Sequence, residues 1–192
     1  MIADMQEDCI ARHRITVDEY YRMAEVGLLA PEARVELIDG VIIDMGPIGS
    51  RHASTVTLLD RLLSRAVGDR AIVRVQQPVR LSRSSELQPD VSLLRPRRDF
   101  YKTAHPTAKD TLLVIEVSET TLRYDREIKV PLYARYGIPE VWIIDLVGEQ
   151  IHFFRSPQAG KYSDVSSTKE PGVVGLAALP DATVDLSAIL NS

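Results

Sequence analysis

Apolar residues recur along this chain at two spacings, one near four residues and one of two, and the alternation between them divides it into elements. Thr16-Val-Asp-Glu19 matches the capping-box pattern, in which the first and fourth residues satisfy each other's backbone donors. It predicts a helix over about 17–27 with Tyr20, Met23 and Ala24 inward and Gly27 ending it. Residues 35–45, VELIDGVIIDM, place two β-rich runs around Asp39-Gly40, a two-residue hairpin signal. Ser50 can cap a second helix running to about Val67, with Val56, Leu59, Leu62, Leu63 and Ala66 as its stripe and Gly68 as its stop. Strand patterns follow at Ala71–Val75, Val79–Leu81 and Asp90–Leu94, with a polar turn over Ser82–Leu87. Residues 111–117, TLLVIEV, are almost continuously apolar, as a central strand covered on both faces would be. A helical segment over about 124–136 contains Pro131, so the helix either starts near Val130 or is kinked. Strands at Val141–Asp145 and Ile151–Arg155 follow, then loop and short strands over 157–180, and a closing turn near Leu186–Leu190.

This order predicts an α/β fold in which helices flank a mixed β-sheet. A doubly wound dinucleotide fold would need a Gly-rich phosphate loop after a strand, and neither GxGxxG nor a P-loop occurs. Residues 1–14 read as a flexible N-terminal tail and 15–192 as one domain. With 45% apolar and 26% charged residues the composition is that of a globular protein. The lone Cys9 excludes an intrachain disulfide and a Cys-rich zinc site. The first residues lack a basic region followed by an apolar stretch, and no apolar run reaches the roughly 18–20 residues of a membrane helix. A cytoplasmic setting with no membrane partner is therefore expected. The net charge of −4 means that a nucleic-acid substrate would require a local basic patch.

Several residues could carry chemistry. Asp90, after Gln88-Pro89, opens a strand; it could equally be an exposed Asp closing a turn. Glu116 lies inside TLLVIEV, where an ionised carboxylate is costly unless paired. Alternation puts Val114, Glu116 and Ser118 on one face and Ile115 and Val117 on the other. An ion pair with an arginine such as Arg126 would be the structural explanation, and a metal or lysine the functional one. Two carboxylates on neighbouring strands can hold Mg²⁺, which activates water and stabilises charge on an attacked phosphate. Lys129 and Tyr133 share a helix face, and Asp125 extends that stripe. Glu36 and His52 could complete the site. Arg95, Arg97, Arg98 and Lys102, interleaved with Phe100 and Tyr101, suit phosphate contact and base stacking.

In order along the chain, Glu36-Leu-Ile-Asp-Gly40, His52, Pro89-Asp90-Val, Glu116-Val-Ser-x-x-Thr, Tyr124-Asp125-Arg-x-x-Lys129-x-x-x-Tyr133 and Gly137-Ile-Pro-Glu-Val-Trp142 form a set. Over about 14–155 it resembles the Uma-type putative restriction endonucleases of the PD-(D/E)XK nuclease superfamily. The resemblance implies a restriction-endonuclease-like fold and a Mg²⁺ site at Asp90 and Glu116 with Glu36 and His52 nearby. The superfamily's plain pattern places a lysine two residues after the glutamate, where this chain has Ser118. The resemblance implies that Lys129 takes that role from the helix. Glu119 stands where the family often has proline.

These readings converge on a Mg²⁺-dependent endonuclease, with Mn²⁺ as a substitute, that hydrolyses phosphodiester bonds in DNA. Asp90, Glu116 and Glu36 would bind metal, and Lys129 would stabilise the attacking water or the phosphate. Cleavage of both strands would be simplest in a homodimer. Replacing Lys129 by alanine is expected to leave the fold intact. The alternatives are an inactive nuclease-fold module that binds nucleic acid or a protein, and a phosphatase using the same metal.

Overall fold

The computed structural model describes residues 12–30 and 32–190; most of the expected tail lies outside them. The capping box forms as the sequence requires. Glu19 N–H donates to Thr16 Oγ1 at 3.2 Å, and Thr16 N–H donates back to Glu19 Oε2 at 2.7 Å. Helix α1 then runs over Val17–Glu25, with Val17 buried, Tyr20 and Met23 half-buried and Ala24 exposed rather than inward. The hairpin pairs β1 (Val35–Ile38) with β2 (Val41–Asp44). Asp39 and Gly40 both take positive φ, 46° and 76°, the requirement of a type I′ turn. A Cβ on Gly40 would also lie 2.6 Å from the Cβ of Arg14, so glycine is needed there twice over.

Helix α2 (Ser50–Val67) begins one residue earlier than Ser50 was expected to cap it. Gly49 is the N-cap, and no side chain among the described residues caps the helix. The segment read as a polar turn over Ser82–Leu87 contains a strand. β4 (Val79–Ser82) turns at Arg83-Ser84 into β5 (Ser85–Leu87), giving a four-stranded sheet in the order β2-β1-β5-β4.

The main sheet follows. It contains β3 (Ile72–Val75), β6 (Val91–Leu94), β7 (Thr111–Ser118), β8 (Glu140–Asp145), β9 (Gln150–Gln158) and β10 (Lys161–Thr168), in the order β10-β9-β8-β7-β6-β3. β10 lies in the segment expected to hold loop and short strands, and it is a full eight-residue edge strand of which only Tyr162 is buried. Only β7 and β8 are parallel, and that geometry demands a crossover. The crossover is helical: α3 (Leu122–Tyr124), a wide π turn (Asp125–Lys129), then α4 (Val130–Arg135). Pro131 has no N–H to offer the preceding turn, and Val130 N–H reaches five residues back to the carbonyl of Asp125. The expected kink is thus a π bulge. A final hairpin pairs β11 (Val173–Leu176) with β12 (Leu179–Asp185).

Two cores sandwich the main sheet. On one face Val56, Leu59 and Leu63 of α2, with Val184 of β12, cover Leu113, Ile115 and Val117. On the other face Leu132 and Tyr133 of α4, with Ile38, Val79 and Leu87 of the small sheet, cover Val114, Val141 and Ile143. Strand alternation therefore sends Glu116 toward the second face, where the small sheet and the crossover helix meet.

The caps give a direct check. Thr16→Ala should cost about 1 kcal/mol, while Ser50→Ala should stay within about 0.5 kcal/mol, read from urea midpoints at constant slope. A larger loss at Ser50 than at Thr16 would contradict the capping described here.

Candidate active site

Every residue of β7 is buried, so Glu116 is largely withdrawn from solvent and needs donors from the fold. Lys129 Nζ donates to its Oε1 at 3.3 Å and the Tyr133 hydroxyl donates to the same oxygen at 2.6 Å. The π bulge supplies the lysine, which is itself buried. Nζ also lies 3.1 Å from Glu36 Oε1 on β1, and that oxygen receives Gln88 N–H at 2.7 Å. Arg126, the alternative partner of Glu116, is exposed.

Asp90 sits just before β6. The pairing of Val91 with Ile115 sets it beside Glu116. Val117 N–H donates to Asp90 Oδ2 at 2.8 Å, His52 Nε2 lies 3.1 Å from the same oxygen, and Gln76 Nε2 donates to Oδ1 at 3.3 Å. His52 comes from the first turn of α2. Ser118 and Thr121 each donate a hydroxyl to Asp125 Oδ2 at 2.7 Å. Glu36, His52, Asp90, Glu116, Asp125 and Lys129 thus share one cleft of about 280 Å³, with Arg34, Glu119 and Tyr124 on its walls.

The basic loop does not join them. β6 runs antiparallel to β7 and ends opposite Thr111, so Arg95, Arg97, Arg98 and Lys102 begin roughly 15 Å along the sheet from Glu116. Arg97 is committed there to Asp99 at 2.7 Å and stacks over Tyr101, and Arg95 donates to the carbonyl of Lys109. The sequence reading missed the backbone donors Val117 and Gln88, which carry no side-chain signal. It also missed the Asp125 clamp, which the spacing Thr121-x-x-x-Asp125 could have suggested.

Burial pushes the Glu116 carboxyl well above its usual range, with Lys129 opposing and Asp125, Asp90 and Glu36 reinforcing. Burial would lower Lys129, but Glu116, Glu36, Asp125 and Asp90 outweigh it and hold the ammonium above its ordinary value. Lys129 and Tyr133 both donate to one oxygen of Glu116, and the ammonium is the contact that opposes protonation of this carboxyl. Burial would likewise raise Asp90; the hydrogen bond and charge of His52, Val117 N–H and Lys129 bring it below its ordinary value. His52 is raised, chiefly by its hydrogen bond to Asp90.

Among the described residues, no three Asp, Glu, His or Cys side chains gather as a ready metal cluster. The Lys129 ammonium lies between Glu36 and Glu116. Asp90 and Glu116 still offer hard oxygens from adjacent strands, and Mg²⁺ is commonly held by one or two carboxylates, its other positions filled by water and substrate phosphate. The chemistry of these two carboxylates therefore fits such an ion, while Lys129 engages one oxygen each of Glu36 and Glu116.

The mixed sheet with helices on both faces is the α/β architecture that the sequence predicts. The chain belongs to the Uma2 family, described as putative restriction endonucleases, whose family model matches residues 17–187. Its fold resembles the crystal structure of a putative nuclease belonging to DUF820 from Anabaena variabilis ATCC 29413. The TM-score is 0.72 at 17% identity, covering 92% of this chain and 98% of that one. No curated protein matches. Family and fold together support a nuclease. No described helix is long and apolar enough to cross a membrane.

The His52–Asp90 pair predicts a pH window. The lowered Asp90 contributes stability above its ordinary 3.8 and loses it as pH falls through the folded value. The raised His52 contributes fully below its ordinary 6.5 and loses it as pH rises through the folded value. The stability gap between wild type and His52→Phe, from urea unfolding across pH, should be widest between those two values. A gap that keeps growing above that window would contradict the pairing.

Proposed function

We propose that this protein is a Mg²⁺-dependent endonuclease that hydrolyses phosphodiester bonds in DNA, with Mn²⁺ able to substitute. The observation that carries the reading is the buried Lys129 ammonium, held 3.1 Å from Glu36 and 3.3 Å from Glu116 in the cleft that Asp90 also lines. A surface lysine would suffice for phosphate attraction. A lysine fixed by two carboxylates beside a third is the arrangement of a preorganised charge.

Asp90 and Glu116 would hold the ion; bound Mg²⁺ supplies a Lewis acid for the phosphate and a more acidic water. Lys129 offers positive charge to the phosphoryl oxygens as water adds to phosphorus and the bond to one sugar oxygen breaks. Glu36 and Tyr133 keep that ammonium and the Glu116 carboxylate in register. His52 orients Asp90, and Ser118 acts on the site through Asp125. The catalytic unit in this reading is the domain over 15–192. Two copies related by a two-fold axis would let a homodimer cut both strands. The basic loop would contact DNA only beyond the cleft, since its distance from Glu116 leaves phosphate binding there to other groups.

The test pairs calorimetric titration of Mn²⁺ with cleavage of supercoiled plasmid. Wild type should bind the ion and cut; Asp90→Asn should lose most of the binding and at least about 10²-fold in rate. The Mn²⁺ affinity of wild type should rise as pH climbs past the ordinary carboxyl value of 4.5, because burial keeps a proton on Glu116 longer. Equal binding by wild type and Asp90→Asn would remove the metal assignment. Duplex binding with no cleavage under any divalent ion would move support to a catalytically silent nuclease-fold module.

A further inference from the structure

The cleft is walled mainly by carboxylates, and a polyanion meets those as repulsion. Of the basic side chains that line it, Lys129 is bonded to Glu36 and Glu116, and His52 to Asp90. The remaining one is Arg34. It lies just before β1, where Met45 N–H donates to its carbonyl at 2.8 Å, so the hairpin ladder continues through it. Side chains two apart on a strand share a face, and Glu36 reaches Lys129 from that face. Arg34 therefore projects toward the same cleft, roughly 7 Å further along the strand, and lines it as a half-buried side chain. Its charge also reaches His52.

Arg34 is held in place without being neutralised. Its Nη1 donates to the carbonyl of Gly46 at 2.6 Å, in the loop between β2 and α2 that forms one wall of the cleft. Among the described residues no carboxylate pairs with it, and its Nε and Nη2 groups make no hydrogen bond. Those two N–H groups form an edge that a guanidinium can present to phosphate in a bidentate contact. A guanidinium fixed through one nitrogen and open at the other two has given up part of its rotamer freedom before a ligand arrives. We propose that Arg34 is a substrate-binding residue whose Nε–Nη2 edge grips the phosphate next to the scissile one. The tether to Gly46 keeps it on the wall, and the scissile phosphate is left to Lys129 at the floor. The proposal rests on the phosphodiesterase reading above and adds to it a group that binds the substrate without touching the reacting atoms.

The test follows binding of a fluorescent DNA duplex by anisotropy as KCl is raised at one fixed Ca²⁺ concentration, for wild type, Arg34→Lys and Arg34→Met in the full chain. Arg34→Met should weaken binding about tenfold, the value of one hydrogen-bonded contact to a charged group. It should also flatten the slope of log K against log salt by about 0.9, the counterion released by one phosphate. Arg34→Lys should keep the slope and recover only part of the affinity, because an ammonium lacks the planar fork. On plasmid in Mg²⁺, Arg34→Met should raise KM and leave kcat near that of wild type, as loss of uniform binding does. Its calorimetric Mn²⁺ affinity should stay that of wild type. Unchanged affinity and slope in Arg34→Met would overturn the proposal, as would a wild type that binds no duplex. Equal losses of affinity in Arg34→Lys and Arg34→Met at unchanged slope would make Arg34 a brace for the Gly46 loop and overturn it too. If wild type binds duplex and cuts nothing, the binding arm alone decides. A flattened slope in Arg34→Met would then keep the phosphate contact while the nuclease reading falls.

Discussion

One ammonium group organises this molecule's chemistry. Lys129 is buried at the floor of the cleft, within hydrogen-bond reach of carboxylates from two different sheets, Glu36 on β1 and Glu116 on β7. Removing any one of the three would leave a buried charge without its partner, which is costly. The three charges therefore hold each other in place, and in doing so they tie the small sheet, the main sheet and the crossover helix to one point. The cleft opens where those three parts meet. Burial also changes what removal of the lysine means. On sequence alone, alanine at 129 was expected to spare the fold; in the structure it would strand two buried carboxylates.

The backbone that delivers Lys129 is irregular for a reason. Pro131 denies the helix one donor, and the chain widens into a π turn over Asp125–Lys129. The two ends of that turn are the two buried charged residues of the segment. Asp125 is fastened by hydroxyls of Ser118 and Thr121, so the start of the turn is pinned to the end of the strand that carries Glu116. Ser118, which stands where the plain superfamily pattern puts a lysine, thus helps to hold the segment that brings Lys129 into its place.

The fold was legible wherever one face of an element is buried and the other is not. The hairpin at Asp39-Gly40, the stripe of α2 and the apolar run of β7 each carry that imprint. Legibility failed where burial is one-sided and sparse, as in β10 with Tyr162 alone inside. It failed again where polar side chains are buried by pairing. Glu86 made β5 look like a turn, yet it is buried against Tyr21 and Arg80. Asp90, Glu116, Lys129, Glu36, His52 and Tyr133 were singled out by motif order, and the structure brings them close together. Their roles were not readable, because the link from Lys129 to Glu36 spans 93 positions and the donors Val117 and Gln88 act through backbone N–H groups. The loop Arg95–Lys102 follows the far end of its strand, and clustered charge in sequence does not show which end of a strand it follows.

The central claim is that Lys129 is held by Glu36 and Glu116 together and compensates both. A double-mutant cycle in urea at neutral pH measures this directly. Lys129→Met alone should cost about 3–5 kcal/mol, the penalty for breaking a buried ion pair. In a background already carrying Glu36→Gln and Glu116→Gln, the same change should cost less than about 1 kcal/mol. An equal cost in both backgrounds would contradict the account, since the lysine would then be stabilising the fold through something other than those two carboxylates.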